Sequence, residues 1–89
     1  MLFVAHTKIA TENRDAVYKR FQEIGNGKVE GVKLLGTWHS LTQDENWSLL
    51  ESSDAVQIAK LFHIWTDLAL NKLTPVIDND DIRKVLLSK

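Results

Sequence analysis

Two apolar runs in the middle of the chain restrict the fold more than any other feature. Gly31-Val32-Lys33-Leu34-Leu35-Gly36-Thr37-Trp38-His39-Ser40 leads into the polar stretch Leu41-Thr42-Gln43-Asp44-Glu45. The chain then continues as Asn46-Trp47-Ser48-Leu49-Leu50-Glu51-Ser52. Extended apolar runs joined by a short polar linker predict a β-hairpin. Helical patterns flank it on both sides, so the hairpin must lie inside a sheet that helices cover.

Leu2 to Ile9 alternates, with Phe3, Ala5, Thr7 and Ile9 on one face and Leu2, Val4, His6 and Lys8 on the other. Both faces begin apolar, which predicts a central strand. Thr11 is a good N-cap for a helix whose first turn carries Glu12 and Asp15. Its stripe is Ala16, Val17, Phe21 and Ile24, and Gly25-Asn26-Gly27 ends it with residues that tolerate left-handed backbone. Ser53 or Asp54 caps a second helix from Ala55 to about Asp67, with Ala55, Ile58, Ala59, Phe62 and Trp65 inward and Leu61 and Ile64 widening the stripe. A fourth strand over Ala69–Ile77 contains Pro75, which cannot donate to a ladder, so this strand lies at an edge or is bulged there. Asp78-Asn79-Asp80-Asp81 opens a short terminal helix with Ile82, Val85 and Leu86 inward. The order β-α-β-β-α-β plus a C-terminal helix predicts one α+β domain over residues 1–89, a ferredoxin-like four-stranded antiparallel sheet with strand order 4-1-3-2.

Such a sheet leaves one face bare. With the more apolar parity of each strand turned to the helices, Val4, His6, Leu35, Thr37, His39, Ser48 and Leu50 fall on the bare face. That set is too apolar for water and too polar for a monomer's core. A chain of 89 residues also buries only about 60–68% of its unfolded surface. A homodimer packed sheet to sheet answers both difficulties. The alternative is an inverted parity with a solvated face.

The segments Met1-Leu2-Phe3, Glu12-Asn13-Arg14-Asp15-Ala16, Gly31-Val32-Lys33-Leu34-Leu35-Gly36-Thr37-Trp38-His39 and Leu73-Thr74-Pro75-Val76-Ile77-Asp78 resemble a family of short proteins of unknown function. That family is similar in pattern to the dimeric α+β barrel superfamily. The resemblance spans nearly the whole chain and implies a barrel built from the sheets of two subunits. The superfamily includes cofactor-free oxygenases, lactone isomerases, haem-handling enzymes and stress-response proteins, so the resemblance implies no single activity. It also implies an aromatic-lined pocket between sheet and helices.

Composition narrows the chemistry. With no cysteine, disulfides, thiolate zinc sites and cysteine nucleophiles are excluded, and a cytosolic location is expected. The 11 basic and 12 acidic side chains are interleaved, against the basic stripe of a nucleic-acid binder. No apolar run approaches the ~20 residues that cross a bilayer. There is no Gly-x-Ser-x-Gly elbow, phosphate loop or Cys-His pair. His6 and His39 are expected on one face but two strand spacings apart, roughly 9.6 Å, too far to share an ion within a subunit. His63 has only Asp67 as an acid neighbour on its helix. Neither a metal within one subunit nor a cofactor is expected, while closer approach of histidines across a dimer stays open.

His39 beside Thr37, and Glu51 at the end of its strand, are the candidate acid–base residues, against boundary and solvated-end readings of the same positions. Trp38, Trp47 and Trp65 are the candidate ligand-binding aromatics. Gly36 leaves room beside Trp38 or marks a bulge. In the resulting pocket Trp38 and Trp65 form walls and Glu51 the rim, and Leu34, Gly36, Trp47 and Leu49 share the helix-facing side. Two functions stay open: a cofactor-free isomerase or oxygenase-like enzyme for a small apolar or aromatic ligand, and a non-catalytic binding or assembly module. A buried convergent polar set favours the first; a filled core with an exposed apolar patch favours the second.

Overall fold

Leu50 is the largest fully buried side chain, and the sheet around it fixes every other position. In the computed structural model, which describes residues 1–88, the chain runs β1 (Leu2–Ile9), α1 (Arg14–Ile24), β2 (Lys33–His39), β3 (Glu45–Glu51), α2 (Ala55–His63), β4 (Ala69–Val76) and α3 (Asn79–Leu86). The strands form one antiparallel sheet in the order β2-β3-β1-β4, the ferredoxin-like α+β arrangement that the pattern predicts. Pro75 lies on the edge strand β4, where a missing N–H costs the sheet least. Ala5, Leu50 and Ile58 form the centre of the core, with Phe3, Val32 and Phe62 packed against it.

Local chemistry sets the helix ends. Thr11 opens a 3-10 turn rather than capping α1, and Asn13 at the α1 N-cap sends its Nδ2 to the Leu68 carbonyl at 3.2 Å. Gly25 ends α1 at φ 64°, its N–H donating to the Phe21 carbonyl at 2.7 Å. Asp54, not Ser53, caps α2: its carboxylate accepts from the Val56 and Gln57 amides at 3.0 and 3.2 Å. The helix stops at His63, short of Asp67. It turns Ile58 and Leu61 inward, while Ala55 and Ala59 are exposed.

The hairpin departs from its expected orientation. Antiparallel partners share a face of the sheet. Leu50 stands opposite Phe3 and Ser48 opposite Ala5, so both face the helices; Trp47 opposite His6 and Leu49 opposite Val4 face away. In β2, Thr37 pairs with Ser48 and His39 with Asn46 on the helix side, whereas Gly36 pairs with Leu49 and Trp38 with Trp47 on the open side. The expected parity of β3 and of Gly36 through His39 is therefore inverted. That of β1 and Leu34 is as expected. The cause is the pairing with β1, whose helix-facing Phe3 and Ala5 dictate the side of each hairpin residue. The bulge between Leu34 and Gly36 inserts Leu35 as an extra residue and lets Leu34 still point inward.

The C-terminal helix is the other departure. Asp78 caps α3 by accepting from the Asp81 amide at 2.8 Å. Yet Ile82, Val85 and Leu86, expected inward, are 41%, 55% and 69% exposed. The helix buries none of its residues, and the molecule, α3 included, measures 50 × 28 × 17 Å with a radius of gyration of 14.8 Å. A packed domain of this length has a radius of about 12 Å. No helix among the described residues is long and apolar enough to cross a membrane.

Candidate functional site

The covered face of the sheet does not close completely under α1 and α2. A cleft of about 60 Å³ lies between them. Its floor is Thr7 from β1, Asn46 and Ser48 from β3 and Asn71 from β4; its walls include Phe21, Phe62 and Trp65. Strand alternation puts these short polar side chains on the helix side, where each can be satisfied. Thr7 Oγ1 donates to Asn71 Oδ1 at 2.7 Å, and Ser48 shares a 3.2 Å hydrogen bond with Thr37. No Lys, Arg, Asp or Glu lines the cleft.

Trp65 is fixed from two sides. Its Nε1 donates to the Asn26 carbonyl at 3.1 Å, and the Arg20 guanidinium sits 5.7 Å from the ring centre. Arg20 in turn makes a bidentate pair with Asp67, at 2.8 and 2.9 Å, and donates to the Ile64 carbonyl at 2.6 Å. The hydrogen bonds from Arg20 hold the Asp67 carboxyl below its ordinary range. This clamp joins the end of α1 to the segment after α2 and keeps the indole as a wall.

The mouth carries a phenol–imidazole pair. Tyr18 Oη lies 3.0 Å from His39 Nδ1, and Phe21 meets the same imidazole edge-on at 5.5 Å between ring centres. Burial raises the Tyr18 hydroxyl above its ordinary value, and the negative charge of Asp44 adds to this. The phenol therefore keeps its proton at neutral pH. Asp44 itself is held low by hydrogen bonds from Thr42, at 2.6 Å, and Ser40, at 3.0 Å, within the hairpin turn.

Of the six candidates from the sequence, His39 and Trp65 border this cleft, whereas Gly36, Trp38, Trp47 and Glu51 do not. Those four lie on the open face, for the reason given by the hairpin register. Trp38 folds over Gly36: a methyl group at Gly36 would stand 2.6 Å from the indole Cη2. The space over the glycine is thus taken by the Trp38 indole itself rather than left open beside it, and the glycine adjoins a bulge. Trp47 stacks on His6, with ring centres 5.2 Å apart and planes 4° from parallel, and His6 Nε2 contacts Glu45 Oε1 at 2.9 Å. His6 and His39 are consequently on opposite faces, not one. Glu51 is exposed and paired across from Lys33. It stands five residues along β3 from the partner of His39, about 17 Å away. His39 and Glu51 therefore form no working pair. Among the described residues, no group of three or more histidines and carboxylates could hold a metal ion.

Sequence reasoning missed Tyr18, Arg20 and the amide floor. Tyr18 precedes Phe21 by three positions, a same-face spacing that could have been read. Nothing local announces Arg20 with Asp67, because 47 positions separate them. Residues 1–89 match the family described as Domain of unknown function (DUF3303). No curated protein and no solved structure matches the chain.

Proposed function

Because the chain belongs to the DUF3303 family, a domain family of unknown function, we propose its role from geometry: a cytosolic homodimer whose subunits each bind a small uncharged molecule between sheet and helices. The make-up of the cleft carries this reading. Apolar and aromatic walls stand over a floor of hydroxyls and amides without a formal charge. A carboxylate or phosphate buried there would lose hydration without gaining a counter-charge. A small ring with a carbonyl or amide edge would stack on Phe21 or Trp65 and meet Asn46 and Asn71. Any proton transfer, in a cofactor-free isomerase or oxygenase-like reaction, runs through Tyr18 and His39.

The dimer half of the proposal is supported by the open face. Trp38 is 59% and Leu70 72% exposed on the sheet face turned away from the cleft. Light scattering at micromolar concentration is expected to give twice the chain mass; a monomer mass would remove this half. For the cleft, the three indole N–H signals in a nitrogen-correlated spectrum provide internal controls. Neutral cyclic amides and lactones should shift Trp65 saturably and leave Trp38 and Trp47 in place. Shifts at Trp38 and Trp47 alone, or none across a broad neutral set, would end the cleft reading. A second reading, a non-catalytic assembly module, is favoured by the same two exposed tryptophans and by the small volume of the cleft.

A further inference from the structure

We infer that α3 is an exchanged arm: in the homodimer proposed above, on which this inference rests, it packs against the open sheet face of the second copy. An isolated helix of eight residues is unstable in water, where about 12–15 residues are marginal. This one nevertheless presents Ile82, Val85 and Leu86 at i, i+3 and i+4 to solvent. It needs a surface, and its own subunit buries none of these three side chains.

Area argues for the second copy. Four strands at about 4.8 Å spacing and seven residues at about 3.3 Å rise give a sheet face of roughly 440 Å² in projection. A stable interface needs about 800 Å² per partner. Bare sheets facing each other fall well short. In a two-fold dimer each copy gives one arm and receives one. A helix about 12 Å long and ~10 Å wide offers roughly 120 Å² of projected surface per arm, so exchanged arms narrow that shortfall.

Charge selects where the arm lands. The acidic first turn of α3 contains Asp80 and Asp81, whose contacts with Arg83 at 4.0 Å and Lys84 at 3.4 Å are long, solvent-exposed pairs that hold the charges only weakly. On the open face Lys8 and Lys72 have no ion-pair partner among the described residues, and Glu45 is already engaged by His6. Both lysines flank Leu70, the most exposed aliphatic of the strands. α3 leaves from the Val76 end of β4, opposite to the Leu70 end. A two-fold axis across the strands brings these ends together, so the stripe of α3 meets the partner's Leu70 and its aspartates meet the partner's Lys8 and Lys72.

The absence of native cysteine makes disulfide trapping clean. Tagged Leu70→Cys protein mixed with untagged Val85→Cys protein should give a covalent tagged–untagged dimer under mild oxidation. In parallel, Val85→Asp should raise the dimer dissociation constant by about tenfold or more, because it sets a charge into an apolar contact, with circular dichroism unchanged. A monomeric wild type would overturn the dimer and the arm together. A dimeric wild type with neither the cross-link nor the weakening would leave the dimer standing and overturn the arm. A chain carrying both cysteines that cross-links within itself at high dilution would show α3 folding back on its own sheet, which also overturns the inference.

Discussion

The two faces of this sheet are built from the same strands yet obey opposite rules. The covered face holds the apolar core, Phe3, Ala5 and Leu50, and beside it the short polar Thr7, Asn46, Ser48 and Asn71, beneath two helices. The open face holds Val4, Trp38, Trp47 and Leu49, turned away from α1 and α2. What decides the side of each hairpin residue is its register with β1: a residue opposite Phe3 or Ala5 is covered, and one opposite Val4 or His6 is not.

Neighbouring leucines in β3 give the sharpest test of this contrast. Leu50→Ala, at 1% exposure, should cost about 2–5 kcal/mol in denaturant unfolding, from lost burial and the cavity left behind. Leu49→Ala should cost about 1 kcal/mol or less at low concentration, as for a partly exposed site. That smaller loss should grow with protein concentration, because binding of a second copy stabilises the folded chain by mass action. Equal costs, independent of concentration, would erase the distinction between the faces.

Gly36→Ala probes the open face more gently. The added methyl would stand 2.6 Å from the far end of the Trp38 indole, so the ring must swing off the strand. Losing that packing and gaining the better strand propensity of alanine oppose one another, and stability should change by less than about 1 kcal/mol. Tryptophan emission should shift to longer wavelength and dimer affinity should fall. An unchanged spectrum would mean that Trp38 does not rest on Gly36.

The smallest effect concerns the clamp on the covered side. Asp67 is held below its ordinary range chiefly by the hydrogen bonds from Arg20. A depressed folded-state value means a stabilising contribution that is complete above the unfolded value near 3.9 and lost as pH falls through the folded one. Asp67→Asn should therefore flatten the acid limb of the stability curve below about pH 4 and loosen Trp65, seen as a narrower spread of its indole N–H shift. An unaltered acid limb would show that the pair contributes nothing.

Element types and order were legible because each follows from local rules. Alternation marked β1, Pro75 marked an edge, and Asp54, Gly25 and Asp78 marked helix ends through the hydrogen bonds they accept or the backbone they tolerate. The family pattern and the hairpin pairing of Trp38 with Trp47 were legible for the same reason. The side on which that pair stands was not. It depends on which residues of β1 oppose β3, and a one-residue change of register reverses every side chain. The extra residue at Leu35 adds a second reversal that alternation cannot reveal. Tyr18 with His39, and Arg20 with Asp67, meet only after the strands have chosen their faces. The sequence by itself determined the fold, because helix and strand periods are written in neighbouring residues. Only the tertiary structure decided the cleft, because its residues come from six elements whose facing is fixed by long-range pairing.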